Sequence, residues 1–363
     1  MKYSSIMFSL LTAIRYLVFM TIYHYLSFFN HYSKIYMYYF LLFLMVELDV
    51  RDSKIFDVIC DNARVPFTDI AKATKISKDS VKSRIDSLVK KNFILSFTPV
   101  IDYNKIGYKM FHAFIKLNTS LDQEELFLKN AISNGNVVAV TKVIGGCDYE
   151  LQVLARDVID EYRILDKLFT SFKKGITDLR VLTIINYYKY TMNIKKSSKR
   201  SFSKNVIKNK PFKVDSKDLA ILKELFDNCR ESLVSISEKV DLSPELVRYR
   251  IKSLINSGVI KSFHARINKN FLGLTTYLFL LDIEGEINNK DLQFFNSTSN
   301  IYHSRNTLGN WNLNIGFCAG NNNELFDTIY KIRKNFGDRL NRFDLLVPLH
   351  RYKFSPIPDG LIL

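Results

Sequence analysis

From Leu48 onward, apolar residues recur with the 3.6-residue period of helices, then give way to alternating or continuous apolar runs that read as strands. Ile55, Val58 and Ile59 lie at helical spacing between Asp52 and Asp61, and Ile70 and Ala71 mark the inward side of a second helix, Phe67 to Thr74. After a turn, Ser77 stands where an N-cap belongs. Val81, Ile85 and Leu88 follow at i, i+4 and i+7, so a third helix over Lys78 to Lys90 carries one apolar stripe. The same succession returns 166 residues later. There Ser243 is the N-cap, Pro244 takes the first helical position, and Val247, Ile251 and Leu254 form the stripe of a helix from Pro244 to Ile255. Identical pairs at this offset include Asp49/Asp215, Asn62/Asn228, Arg64/Arg230, Arg84/Arg250, Ile94/Ile260 and Gly107/Gly273, and identity at a fixed interval marks a duplicated unit.

Beyond each trio of helices, "FILSFTPVIDYNKIGY" and "VIKSFHARINKNFLGL" each carry a strand-pair signal that resembles a wing. Each half then continues as strand, helix, strand, strand, helix, strand. In the first half these are Lys109 to Leu117, Leu121 to Ser133, Val137 to Ile144, Tyr149 to Ala155, Val158 to Phe172 and Asp178 to Tyr187. In the second they are Leu274 to Ile283, Asn289 to Ser297, Ile301 to Thr307, Leu313 to Cys318, Asn323 to Phe336 and Asn341 to Val347. That order is the ferredoxin-like split βαβ. The expected fold class is α+β, with two repeats, each a winged helix-turn-helix domain followed by a ferredoxin-like βαββαβ domain. The expected boundaries are 47–106 and 107–190 for the first pair of domains and 213–272 and 273–350 for the second. A basic linker at 191–212 joins them, with an N-terminal extension at 1–46 and a C-terminal tail at 351–363.

A helix, a short turn and a second amphipathic helix form the arrangement whose second helix enters the major groove of DNA. Opposite its stripe the first copy presents Lys78, Ser80, Lys82 and Arg84 beside the Ser77 hydroxyl. The second presents Glu245, Arg248, Tyr249, Arg250 and Lys252 beside Ser243. Short hydroxyls and long cations reach base edges and phosphates. Arg84 and Arg250, lying near the buried stripe, also fit a role inside their own domains. Charge favours the same partner: a net +16 and a pI near 9.4 suit an anion, nucleic acid ahead of a membrane surface. Nine Lys or Arg and no acid lie between Lys189 and Lys213, which reads as a flexible basic linker serving either as a solubilising tether or as a phosphate contact.

Cys60, Cys147, Cys229 and Cys318 are scattered, at neither CxxC nor metal-ligand spacing, so no metal or cofactor is expected and a reducing cytoplasm fits. Residues 1–46 differ from the rest. They contain no Gly, Pro, Asp or Glu, and 14 of the first 45 are Phe or Tyr. Three readings stand for them: an extension upstream of a start at Met45, a membrane anchor in which Ile6 to Phe29 crosses with Arg15 snorkelling, and a folded or interfacial helix.

On these residues both halves resemble the Lrp/AsnC family of transcription regulators. The resemblance rests on "DNARVPFTDIAKATKISKDSVKSRIDSLVKKNFI" and "DNCRESLVSISEKVDLSPELVRYRIKSLINSGVI", on the Gly107/Gly273 strand entry, and on a Gly-x-aromatic-Asp type loop in each ferredoxin-like unit. It covers the chain from about Leu48 to Leu349. It implies a regulator that binds double-stranded DNA, with ferredoxin-like domains that bind an effector and mate within one chain as a pseudo-dimer, and with further self-association. The implied effector residues, for an amino acid or other small molecule, are Gly145, Gly146 and Asp148 in one loop and Gly309, Trp311 and Asn312 in the other. Cys147 replaces the family's aromatic in the first loop and Asn312 its acid in the second. Siroheme decarboxylases of haem biosynthesis resemble the same family without its DNA binding, and Tyr302, His303 and Arg305, just ahead of Gly309, are the residues that carry this alternative. The first half has no matching histidine near Lys142 or Gly145. No nucleophile-base set or phosphate loop stands out in the sequence, so a regulator and not an enzyme is expected.

Overall fold

The computed structural model describes residues 48–172, 174–190, 202–204 and 212–361. The extension at 1–46 and most of the basic linker lie outside them. Among the described residues no helix is long and apolar enough to cross a membrane.

Each half opens with the three expected helices: α1 (Val50–Asp61), α2 (Phe67–Thr74) and α3 (Lys78–Lys90), then α6 (Ser216–Asp227), α7 (Leu233–Val240) and α8 (Pro244–Asn256). Capping boxes fix the start of α1 and α6. The Asp49 carboxylate accepts from the Asp52 amide while Asp52 accepts from Asp49, and Asp215 and Asp218 repeat the device.

Each wing contributes one strand and takes its partner from the other half. β1 (Ile94–Ile101) pairs antiparallel with β7 (Ile260–Ile267), Phe97 opposite Ala265. The exchange is reciprocal, since the Ala63 amide donates to the Phe263 carbonyl at 2.9 Å and the Cys229 amide to the Phe97 carbonyl at 2.8 Å. Arg64 donates to the Cys229 carbonyl and Arg230 to the Ala63 carbonyl, with the Arg230 guanidinium 4.3 Å from the Phe67 ring centroid. Burial lowers the pKa of both arginines, and carbonyl lone pairs and aromatic faces replace the water they give up. One apolar core therefore runs from Ile55 and Ile85 through to Leu254 and Phe263.

The first ferredoxin-like unit is β2 (Lys109–Leu117), α4 (Leu121–Ser133), β3 (Val137–Ile144), β4 (Tyr149–Ala155), α5 (Val158–Phe169) and β5 (Ile176–Tyr190). The second is β8 (Thr275–Ile283), α9 (Asn289–Ser297), β9 (Ile301–Leu308), β10 (Leu313–Ala319), α10 (Asn322–Phe336) and β11 (Leu340–Phe354). The last strand of each unit outruns its expected length because it pairs with strands of both halves. β5 pairs first with β2 of its own half and then with β9, while β11 pairs first with β8 and then with β3. The outcome is a closed antiparallel barrel in the order β2-β4-β3-β11-β8-β10-β9-β5, with β6 (Phe202–Lys204), the described piece of the linker, added to the end of β5.

Alternation along these strands sorts three cores. Phe111 and Ile115 pack outward beneath α4 and α5, Phe279 and Leu281 beneath α9 and α10, and Phe114, Leu278, Leu280 and Leu346 fill the barrel. The tail expected from residue 351 onward is built into the fold. Residues 351–354 finish β11, the Ser355 amide donates to the Val138 carbonyl at 2.7 Å, the Gly360 amide donates to the Gly135 carbonyl at 2.8 Å, and Ile357 and Leu361 are buried against the helical core. Its few apolar residues gave no period to read.

Candidate nucleic-acid interface

The two recognition helices keep their stripes buried, Val81, Ile85 and Leu88 in α3 and Val247, Ile251 and Leu254 in α8. Lys78, Lys82, Glu245, Arg248, Tyr249 and Lys252 are exposed, and Ser80 is half-buried. Tyr249 stands 69 % exposed, a large ring with no core to enter. Ser77 and Ser243 act as N-caps, their hydroxyls accepting from the Ser80 amide at 3.3 Å and the Leu246 amide at 3.2 Å. Each helix therefore offers its N-terminal dipole and its cations on the same open face.

Arg84 and Arg250 do not belong to that face. Arg84 Nη1 lies 2.7 Å from both Asp49 and Asp52, and Arg250 Nη1 lies 2.8 Å from Asp215 and 2.9 Å from Asp218. Each guanidinium ties its recognition helix to the capping box of the first helix of its own domain. Hydrogen bonds to these carboxylates raise the pKa of both arginines, and the Asp52 amide together with Arg84 holds Asp49 below the usual carboxylate range. Side chains expected to read bases thus fasten the fold, because a guanidinium one turn from the stripe reaches the neighbouring acids first.

The two loops expected to bind an effector are likewise committed. Gly145 and Gly309 adopt φ of +135° and +141°, and an added Cβ would fall 2.5 Å from the Leu345 carbonyl oxygen in one and 2.6 Å from that of Val181 in the other. Their glycines let each loop press against the last strand of the opposite half. Gly146 sits as closely on the Asp344 carboxylate. Asp148 accepts from the Leu117 amide at 2.8 Å and pairs with Lys116 at 2.9 Å. Asn312 accepts from the Ile283 amide at 2.9 Å and donates to its carbonyl at 2.6 Å. Trp311 is buried in the barrel core with Arg342 4.8 Å from its ring. The structure uses these groups to close strand ends and the seam between halves.

Inside the barrel lies a polar set that the periodicity does not announce. His112 Nδ1 and Glu150 Oε1 are 2.6 Å apart, with 2 % and 4 % of their side chains exposed. Burial lowers the His112 pKa and so keeps the imidazole neutral. Burial works against the Glu150 carboxylate, but the hydrogen bond to His112 and the charge of Arg305 hold it ionised. A neutral imidazole donating Nδ1–H to a carboxylate satisfies both, a tautomer assigned from the partner. His303 is buried and neutral, its Nε2 3.4 Å from Asn314 Oδ1. Tyr302 meets the His303 ring edge-on at 4.7 Å, and Arg305 lies 5.4 Å from the Tyr187 ring. The histidine that faces His303 across the interior comes from β2, not from the neighbourhood of Lys142 or Gly145. Its trace in the sequence is a polar residue at an inward strand position, His112 in "KMFHAFIKL" and Glu150 in "YELQVLA".

A family model described as winged helix-turn-helix DNA-binding matches residues 48–94 and 214–261, the two helical units. The HTH-type transcriptional regulator LysM of Sulfurisphaera tokodaii is 32 % identical over 138 residues, which span 38 % of this chain and 89 % of that protein. LrpA of Pyrococcus abyssi, also an HTH-type transcriptional regulator, is 40 % identical over 63 residues, 17 % of this chain and 45 % of that protein. Among solved structures, the siroheme decarboxylase NirDL covers 85 % of this chain and 94 % of its own with a TM-score of 0.58 at 13 % identity, a likeness of fold that extends over both halves. LysM therefore matches less than half of this chain while most of its own length is matched. With two helix-turn-helix units, each followed by a ferredoxin-like domain, the chain belongs to the Lrp/AsnC family of HTH-type transcriptional regulators, in a form that carries the unit twice.

Proposed function

We propose that the protein is a sequence-specific transcription regulator whose two recognition helices read two different half-sites in double-stranded DNA. The observation that carries this reading is that both apolar stripes are buried while both cationic faces stay open. The shared β1–β7 ribbon and the continuous helical core tie the two helices to each other. Phosphate contacts from Lys78, Lys82 and Lys252 supply salt-dependent affinity, and Arg248 and Tyr249 supply base contacts in one half-site. The reading places the protein in the cytoplasm, leaves room for a small effector outside the two committed loops, and allows further self-association through the ferredoxin-like domains. Fluorescence anisotropy of the full chain with labelled duplexes from its own upstream region, across a salt series, tests it. Affinity that falls linearly with log salt, with preference for particular duplexes, is expected. Failure to bind any duplex at low ionic strength overturns it.

A second reading has its own support. The barrel interior holds His112, Glu150, His303 and Arg305, and the fold likeness to a siroheme decarboxylase spans both halves. Chemistry on a carboxylated tetrapyrrole is the enzymatic alternative. Anaerobic incubation with siroheme followed by mass spectrometry decides it: loss of carbon dioxide that His112→Ala abolishes supports the enzyme, and unchanged siroheme removes it.

A further inference from the structure

The two halves allow one position to be judged against its twin. Helices α5 and α10 begin alike: Asp157 and Asn321 are N-caps that accept from the amides of Asp160 and Glu324, and those acids accept in turn from the Arg156 and Gly320 amides. Four residues after each cap the halves part. In α10 the position is Leu325, packed against the core beneath the helix. In α5 it is Glu161, 8 % exposed, with no hydrogen bond or ion pair from its carboxylate to any described residue. The fold therefore asks for an apolar side chain there and half one carries an acid. Burial of the residue pushes the carboxyl up to about 7.

The acid faces an open groove of about 550 Å³ between α5 and β5, walled by Val158, Leu165, Phe169, Ile176, Leu179 and Val181, with Tyr162 at its lip and Asp166 as a second acid in its lining. That volume suits a small ligand. Leu179 and Tyr162 are left 40 % and 68 % exposed along it. A buried carboxylate without a partner is stable only as the neutral acid or beside a cation. We propose that this groove is a binding site for a small molecule with a primary ammonium group on an apolar body, the ammonium pairing with Glu161 and the body lying on the aliphatic wall. The inference does not depend on DNA binding, and it concerns the outer face of the first ferredoxin-like domain, where the wall residue Val181 also carries the carbonyl that Gly309 packs against.

Ligand-observed NMR on the full chain, with hexylammonium and the neutral hexan-1-ol as probes, tests it at pH 8.0 and 5.5. Hexylammonium is expected to bind at pH 8.0 and about tenfold more weakly at pH 5.5, where the carboxyl is protonated, whereas hexan-1-ol binds weakly and equally at both. Glu161→Gln removes the advantage of the cation. Glu161→Leu, which copies the residue of the twin position, does the same, and both substitutions remove the pH dependence. Equal binding of the two probes, or hexylammonium binding that survives either substitution, overturns the proposal.

Discussion

The recognition helices α3 and α8 are copies of one element, and what they share differs from what they do not. Arg84 and Arg250 are identical, as are Arg64 and Arg230, and all four are spent on the fold: two clamp a helix to a capping box and two cross to a carbonyl of the opposite half. At the outward positions the copies diverge, Lys82 against Arg248, Ser83 against Tyr249 and Asp86 against Lys252. Within this chain, identity between repeats marks structure, and difference marks what each half meets. Glu161 against Leu325 extends the rule to the ferredoxin-like domains.

Substitutions at shared positions should then cost stability, and substitutions at divergent ones should alter binding. The largest effect is expected for Arg230→Ala, which strips a half-buried guanidinium from the Ala63 carbonyl and the Phe67 ring. A loss of about 3 kcal/mol in denaturant unfolding is expected, and a loss below about 0.5 kcal/mol would make the crossing ornamental. Next comes Glu161→Leu. The folded carboxyl sits at about 7 against 4.5 for the free group, so its cost is absent below pH 4.5, grows as pH rises through that interval and is complete above 7. The variant should be about 2 kcal/mol more stable than the natural protein at pH 8 and nearly equal to it at pH 4. A gain that does not change with pH would show the carboxylate to be solvated.

Arg248→Ala should cost about 1 to 3 kcal/mol of discrimination at one half-site if the guanidinium grips a guanine. A uniform loss over all sequences would make it a phosphate contact. Arg84→Ala is expected to lower stability by about 1 kcal/mol, its ion pairs being partly exposed, without changing the affinity of the folded protein for DNA. Reduced affinity at full folding would return Arg84 to the interface. Smallest is Lys82→Ala, which should flatten the salt dependence of binding by about one counterion.

The duplicated helices, their caps and the strand order were legible because each rests on local rules: the stripe of Val81, Ile85 and Leu88, the Ser77 hydroxyl, and the alternation in β2 and β4. What escaped is non-local. That β5 and β11 outrun their expected ends reflects a second partner strand from the other half. The reach of Arg84 toward Asp49 depends on how α3 crosses α1. His112 and Glu150 come from strands far apart in sequence and meet only where β2 and β4 pair side by side in the barrel, and Ile357 and Leu361 find their core in another domain.

The central claim is that α3 and α8 read two unlike half-sites as one body. Selection from a randomised duplex library with the full chain tests it most directly. The account predicts enrichment of one motif built from two dissimilar halves, with Arg248→Ala erasing information in one half alone. A palindromic motif, or no enrichment at low salt, would contradict it.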